Sequence, residues 1–240
     1  MIEKTLFVKA KVILLASLCI FLYGCVPYYK LSKSEFPQGK ELEISKLGIV
    51  QQYLKSATIY KCFTTLAIFD ALWLSDDVRE AYVALHSQKS GKSQTSREAL
   101  LNRQLEENKH WISFYVLADI RQEPNSGMSE KSPLWSTYID LGCNKKIEPE
   151  SIKEVELDTE NIFFFGEKFN SFKTAYLVQF PACDSDGKSF LTDCTVVKLV
   201  ISSVNKSSEL VWNLKDIKDA LTKFSKSKKK VKNDEDFYWG

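Results

Sequence analysis

Apolar and polar positions alternate with two different periods along this chain, and the changes of period mark its elements. From Ser75 the helical period holds: Ser75 with Asp76 and Asp77 supplies an N-cap and first-turn negative charge, and Val78, Ala81, Tyr82 and Leu85 form one apolar stripe to about Gln88. A polar stretch with Gly91 follows, and Thr95-Ser96-Arg97-Glu98 has the form of a capping box opening a second helix. Leu100, Leu101 and Leu105 are the apolar face of that helix, so residues 75–110 predict a helical hairpin. After His110 the period falls to two. Ile112, Phe114, Val116 and Ala118 alternate with Trp111, Ser113, Tyr115 and Leu117, a strand from Trp111 to Ile120.

Further strands are predicted over Leu134–Leu141, Ser151–Leu157, Ile162–Phe165, Thr174–Phe180, Thr195–Val204 and Glu209–Asn213. Turn signals separate them at Asn125-Ser126-Gly127, Gly142, Asn144, Pro149 and Asp186-Gly187. Upstream, Leu47, Val50, Gln51 and Leu54 predict a short helix to about Lys55. Ala57 to Leu74 reads as one long strand buried on both faces, with a buried amphipathic helix as its rival. Many short strands without intervening crossover helices give an α+β fold: an antiparallel β-sandwich with the helical hairpin inserted into it or placed before it. The arrangement is immunoglobulin-like only by analogy, because Trp135 has no flanking cysteines at antibody-type spacing.

The ends of the chain depart from this pattern. Lys4, Lys9 and Lys11 precede an apolar run from Val12 to Leu22, the order of a secretory signal. As a helix that run is about 16 Å long, roughly half a hydrocarbon core, too short for a stable span. It closes on Leu22-Tyr23-Gly24-Cys25, which resembles the lipobox of bacterial lipoproteins. The resemblance implies removal of residues 1–24, diacylation of Cys25 and a protein held in the cell envelope by its lipid. Two acyl chains make a durable anchor where one binds only marginally. With Val26 rather than aspartate after Cys25, the resemblance also implies the outer membrane, facing periplasm or surface. An ordinary secretory signal followed by a coincidental cysteine is the other reading. Residues 25–45, with Pro27, Pro37 and Gly39, read as a linker, and 46–214 as the folded domain. Residues 215–240 read as a short helix carrying Ile217, Leu221 and Phe224, then a charged tail containing Lys226, Lys228, Lys229, Lys230 and Lys232.

The net charge of +2 supplies no global field for nucleic acid. With Cys19 lost and Cys25 acylated, Cys62, Cys143, Cys183 and Cys194 would face an oxidising compartment, and Cys183 with Cys194, flanking a polar loop, is the candidate disulfide. No CxxC or neighbouring histidine favours a metal, and no cofactor is implied. Asp184, Asp186 and Asp193 lack the spacing of a calcium loop. Phosphate-binding loops, nucleophile elbows and zinc-protease motifs are missing from the sequence, so no catalytic residue is named. His86 and His110 lie at predicted helix ends, where a dipole partner is the usual role.

Two functions fit. One is a structural or protein-interaction module that meets another envelope protein, with Phe163-Phe164-Phe165 as a candidate exposed aromatic edge. The other is a module or hydrolase for envelope glycan or lipid, with its site between the helical hairpin and the sandwich.

Overall fold

The computed structural model describes residues 46–121, 127–128, 135–142, 146–192, 194–204 and 206–222. The signal, Cys25, the linker and most of the charged tail lie outside them. A helical turn over 46–50, α1, leads into β1 (Leu54–Lys61) and β2 (Thr64–Trp73). Two helices follow, α2 (Asp76–Lys89) and α3 (Gln94–His110), then β3 (Trp111–Ile120), β4 (Ser136–Asp140), β5 (Lys146–Ile147) and β6 (Ser151–Glu154). Helix α4 (Thr159–Phe165) with a 3-10 turn at Gly166–Lys168 precedes β7 (Thr174–Pro181), β8 (Val196–Ser203) and β9 (Lys206–Asn213). The last described element is α5, over 214–222.

The strands form two antiparallel sheets, a five-stranded one ordered β1-β2-β3-β7-β6 and a four-stranded one ordered β5-β4-β8-β9. The α2–α3 hairpin is inserted between β2 and β3, neighbours at the middle of the first sheet, so the class is α+β.

Alternation along β2, β3 and β7 gives the first sheet two different faces. On one, Trp73 and Phe114 meet Trp212 of β9, with ring centroids 6.3 and 5.2 Å from it, and Phe69 meets Trp135, at 5.2 Å. The indole N–H of Trp212 donates to the Tyr53 carbonyl at 2.8 Å, which seals this aromatic contact between the sheets. On the opposite face Tyr115 and Leu177, paired across β3 and β7, look toward α2 and α4.

The helix read to about Lys55 ends at residue 50, because Leu54 and Lys55 already pair with Leu72 and Ala71 in the first sheet. Two further expectations need correction. Residues 57–74 are a hairpin, neither one strand nor a helix, and the reason lies at its tip. Cys62 takes a φ of +54° at the first central position of a two-residue turn, a place usually given to glycine, so no glycine, proline or asparagine announced the reversal. The left-handed region costs a residue with a Cβ about 1–2 kcal/mol. Cys62→Gly is therefore expected to stabilise the fold by about 1 kcal/mol in urea unfolding.

The second correction concerns 162–165, which is helix α4 rather than strand. Asp158 caps it, its carboxylate accepting from the Asn161 N–H at 2.9 Å, and Gly166 closes it at φ +54°. Phe164 and Phe165 are buried, and Phe163 is half-buried with the Lys89 ammonium 5.5 Å over its ring, so this segment is not an exposed edge. A smaller shift occurs at α3, whose N-cap is Ser93 rather than Thr95, with the Ser93 hydroxyl accepting from the Ser96 N–H.

Candidate functional site

The hairpin α2–α3 stands over the first sheet and leaves a hollow on each side. Its inner helix α2 buries Val78, Ala81 and Leu85 of the stripe that periodicity marks, leaves its Tyr82 half-buried, and buries Ala84 and Arg79 besides. The outer helix α3 buries no residue fully; Leu100, Leu101 and Leu105 are only half covered. Polar contacts therefore carry much of its attachment. Arg79, 3 % exposed, donates from Nε to Asn108 at 2.5 Å and from Nη1 to Gln104 at 2.6 Å and to Glu107 at 3.0 Å. Those three acceptors stand at i, i+3 and i+4 on one face of α3, which lets a single guanidinium reach all of them. Asn108 in turn donates to Asp76 at 2.7 Å.

The smaller hollow, about 100 Å³, lies between this network and the sheet, walled by Tyr82, Tyr115, Asp158 and Asn161. Burial, followed by the neighbouring Asp158, holds the Tyr82 hydroxyl well above the usual tyrosine range, and burial does the same for Tyr115.

The larger hollow is a cleft of about 750 Å³ at the other side of the hairpin, where β2 leaves the sheet and β3 enters it. Trp73, Trp111, Leu105 and Leu191 give it an apolar lining, and Asp76, Asp77, Asn108 and Lys109 bring polar groups to its rim. The positions follow from local structure. Asp76 and Asp77 open α2, where its N-terminal partial positive charge favours carboxylates. Trp111 is the first residue of β3, at the junction with α3. Tyr53 donates to Asp77 and so fixes that carboxylate from the β1 side.

Burial and the Asp77 acceptor push the Tyr53 hydroxyl far up, and burial raises Tyr176 as well. An unfolded tyrosine ionises near pH 10, so above that pH the unfolded chain sheds protons that the folded chain retains. Their contribution to stability is complete below about pH 10 and is lost as pH climbs toward the raised folded values, by about 1.4 kcal/mol per pH unit for each such group. Alkaline titration should show these tyrosinates appearing together with loss of circular dichroism. Ionisation of all ten tyrosines before any unfolding would contradict this.

Of the other residues singled out by sequence, Cys183 lines the larger cleft, and His86, His110, Asp184, Asp186 and Cys194 line neither hollow. Cys183 is a free thiol 3.7 Å from the Lys109 carbonyl, while Cys194 Sγ is turned to the Leu141 and Val196 carbonyls, so the structure does not join this pair. The loop between them is folded on itself: the Asp184 carboxylate accepts from the N–H groups of Asp186 and Lys188 at 3.1 and 2.9 Å, an Asp-Gly turn rather than a cation site. His86 stacks on Tyr82 and has Nδ1 3.6 Å from the buried Glu160 carboxylate, and exposed His110 neighbours Glu106. Among the described residues no group of three or more His, Cys, Asp and Glu side chains gathers to hold a metal ion. Cys25 is outside the described residues.

Periodicity located the hairpin that borders both hollows, but it did not single out Arg79 or Trp111. The signal for Arg79 would have been a long cation beside an apolar stripe, facing a second helix rich in Gln, Glu and Asn at matching spacing.

No family model and no curated protein match the chain. A solved structure of a protein of unknown function from Burkholderia pseudomallei is similar at a TM-score of 0.36 and 10 % identity, over 71 % of this chain and 83 % of that one.

Proposed function

We propose that the chain is a cell-envelope lipoprotein, anchored through Cys25 and lodged in the outer membrane, whose folded body binds envelope glycan in the cleft beside the helical hairpin. The observation that carries the binding role is the composition of that cleft: the half-exposed indole of Trp111 over an apolar floor to which buried Trp73 adds an edge, rimmed by two carboxylates, an amide and an ammonium. Flat aromatic surface packs against the apolar face of a sugar ring, and the rim groups suit hydroxyl and acetamido groups; the volume is in the range of small-molecule sites. In this reading the two sheets are the layers of an antiparallel sandwich, with immunoglobulin domains as an analogy of architecture alone.

Binding is favoured over hydrolysis by the arrangement of the carboxylates. Asp76 and Asp77 are adjacent on α2 and so diverge around the helix, and each is engaged by a neighbour, Asn108 and Tyr53 respectively. A glycosidase instead needs two carboxyl groups facing each other across the scissile bond.

The anchor rests on Lys4 to Cys25 of the sequence. Among the described residues no helix is long and apolar enough to cross a membrane. Intact mass and membrane fractionation of wild type and Cys25→Ala test the anchor: a mature chain beginning at acylated Cys25, and a mutant unprocessed or released, are expected. Titration with soluble peptidoglycan fragments and with β-1,4-linked N-acetylglucosamine oligomers tests the cleft. Trp111→Ala is expected to weaken binding at least about tenfold, a loss of about 1.4 kcal/mol, without changing the circular dichroism. Equal binding by wild type and Trp111→Ala would remove the glycan reading.

A further inference from the structure

Five large apolar side chains stand exposed among the described residues: Tyr60, Phe63, Phe172, Val204 and Val211. The first four belong to one end of the molecule, and strand pairing establishes this. Cys62 and Phe63 form the β1–β2 turn, and Ala67 faces Ile120 while Ala118 faces Thr174. The turn carrying Phe172, just before β7, is therefore at the same end of the first sheet as Phe63.

Val204 closes the β8–β9 turn of the second sheet, next to the Ser203–Lys206 pair. Two ring contacts align the sheets. Trp212, paired with Val197, touches Trp73, whereas Trp135, beside the Ser136–Ser202 pair, touches Phe69. Passing from Trp73 to Phe69 leads toward the Phe63 turn, and passing from Val197 to Ser202 leads toward the Val204 turn. Both turns point the same way.

We propose that this end of the molecule seats on a lipid bilayer, with Phe63 and Tyr60 entering the headgroup region and Phe172 and Val204 beside them. This inference rests on the Cys25 anchor. The shape favours a fluid surface over a fitted partner, because the apolar groups stand separately on turns and strand ends rather than forming one continuous face. Phe63 lies six residues beyond Phe69 along the strand, about 20 Å at ~3.3 Å per residue, so it is the leading point.

Exposed Lys61, Arg121 and Lys206 surround these side chains, the charge that anionic headgroups attract, although Arg121 also pairs with Asp119. Amphipathic aromatic groups favour the same depth. The tether is compatible. From Leu54 to Phe63 the hairpin extends about 30 Å at ~3.3 Å per residue, whereas the twenty residues 26–45 between Cys25 and the described chain can span up to about 66 Å. Lipid and hairpin tip can thus share one bilayer even though β1 begins at the far end of the sheet.

The test uses the full mature chain carrying a polarity-sensitive dye on exposed Cys62, with Cys62→Ser labelled in parallel for background. Vesicles of phosphatidylethanolamine with a minority of phosphatidylglycerol are added, with and without a headgroup-level quencher. A blue shift and quenching at Cys62, both lost on combining Phe63→Ser with Phe172→Ser, are expected. A chain that floats with the vesicles while its dye reports water overturns the proposal and leaves the anchor intact. Should the chain prove unacylated, the anchor fails separately, and the dye at raised lipid concentration still decides: a shift supports the seating and none refutes it. A shift that grows with protein concentration without vesicles would mark the end as a self-association surface and overturn the proposal.

Discussion

Asp70→Ala lowers the unfolding free energy by about 3–5 kcal/mol, read from the urea midpoint at constant slope. Asp70 is 2 % exposed in the middle of β2, on the sheet face away from the aromatic contact. Its carboxylate accepts from Ser56 Oγ at 2.5 Å and from Lys173 Nζ at 2.7 Å, and Lys168 Nζ stands 3.5 Å away. Lys173 is itself 7 % exposed in its side chain, so removing Asp70 strands an ammonium left to donate to the Lys168 carbonyl.

The large figure belongs to that orphaned charge more than to the pair. Removing both charges therefore returns most of the loss: Asp70→Leu with Lys173→Met should fall within about 1–2 kcal/mol of wild type, because a buried ion pair is seldom worth more than apolar groups of equal volume. A double variant as unstable as Asp70→Ala would mean that the pair, through the 3-10 turn it holds to β1 and β2, specifies how the α4 segment lies on the sheet. That segment supplies Asp158 and Asn161 to the small hollow, so the same cycle also asks whether the hollow is shaped from a distance.

Signals confined to one element were legible in the chain, and those that depend on two elements meeting were not. Trp111–Ile120 is a strand over the span that its alternation marks, and the stripe Val78, Ala81, Tyr82 and Leu85 identifies the inward side of α2. The turn at Cys62 was invisible because its residues carry no turn preference and only tertiary pairing of β1 with β2 forces the left-handed conformation. Phe163-Phe164-Phe165 has strand propensity, yet the Asp158 cap and the burial of Phe164 and Phe165 make it helical. A concave site beside the helical hairpin was foreseeable, since a hairpin inserted between central strands must stand on the sheet. Its lining was not, because Trp73, Trp111 and Asn108 converge only through the angle at which α3 returns into β3.

The second large effect concerns Arg79. Replacement by alanine should cost about 2–4 kcal/mol, somewhat below a fully buried pair because Glu107, 38 % exposed in its side chain, can turn to water. Arg79→Lys should recover little, since one ammonium cannot reproduce the fork that reaches Gln104, Glu107 and Asn108 together. The loss has a place as well as a size. Helix α3 has no fully buried side chain, whereas the sheet beneath it keeps its aromatic core, so hydrogen exchange should quicken across Gln94–His110 while β2, β3 and β7 retain their protection. Freed Asn108 would also release Asp76 at the rim of the cleft, and if the proposed glycan binding holds, its affinity should fall with the loosening of α3. Uniform loss of protection over sheet and helices would instead mean that the hairpin and sheets unfold as one cooperative unit, with Arg79 supporting the whole fold rather than the wall of its cleft.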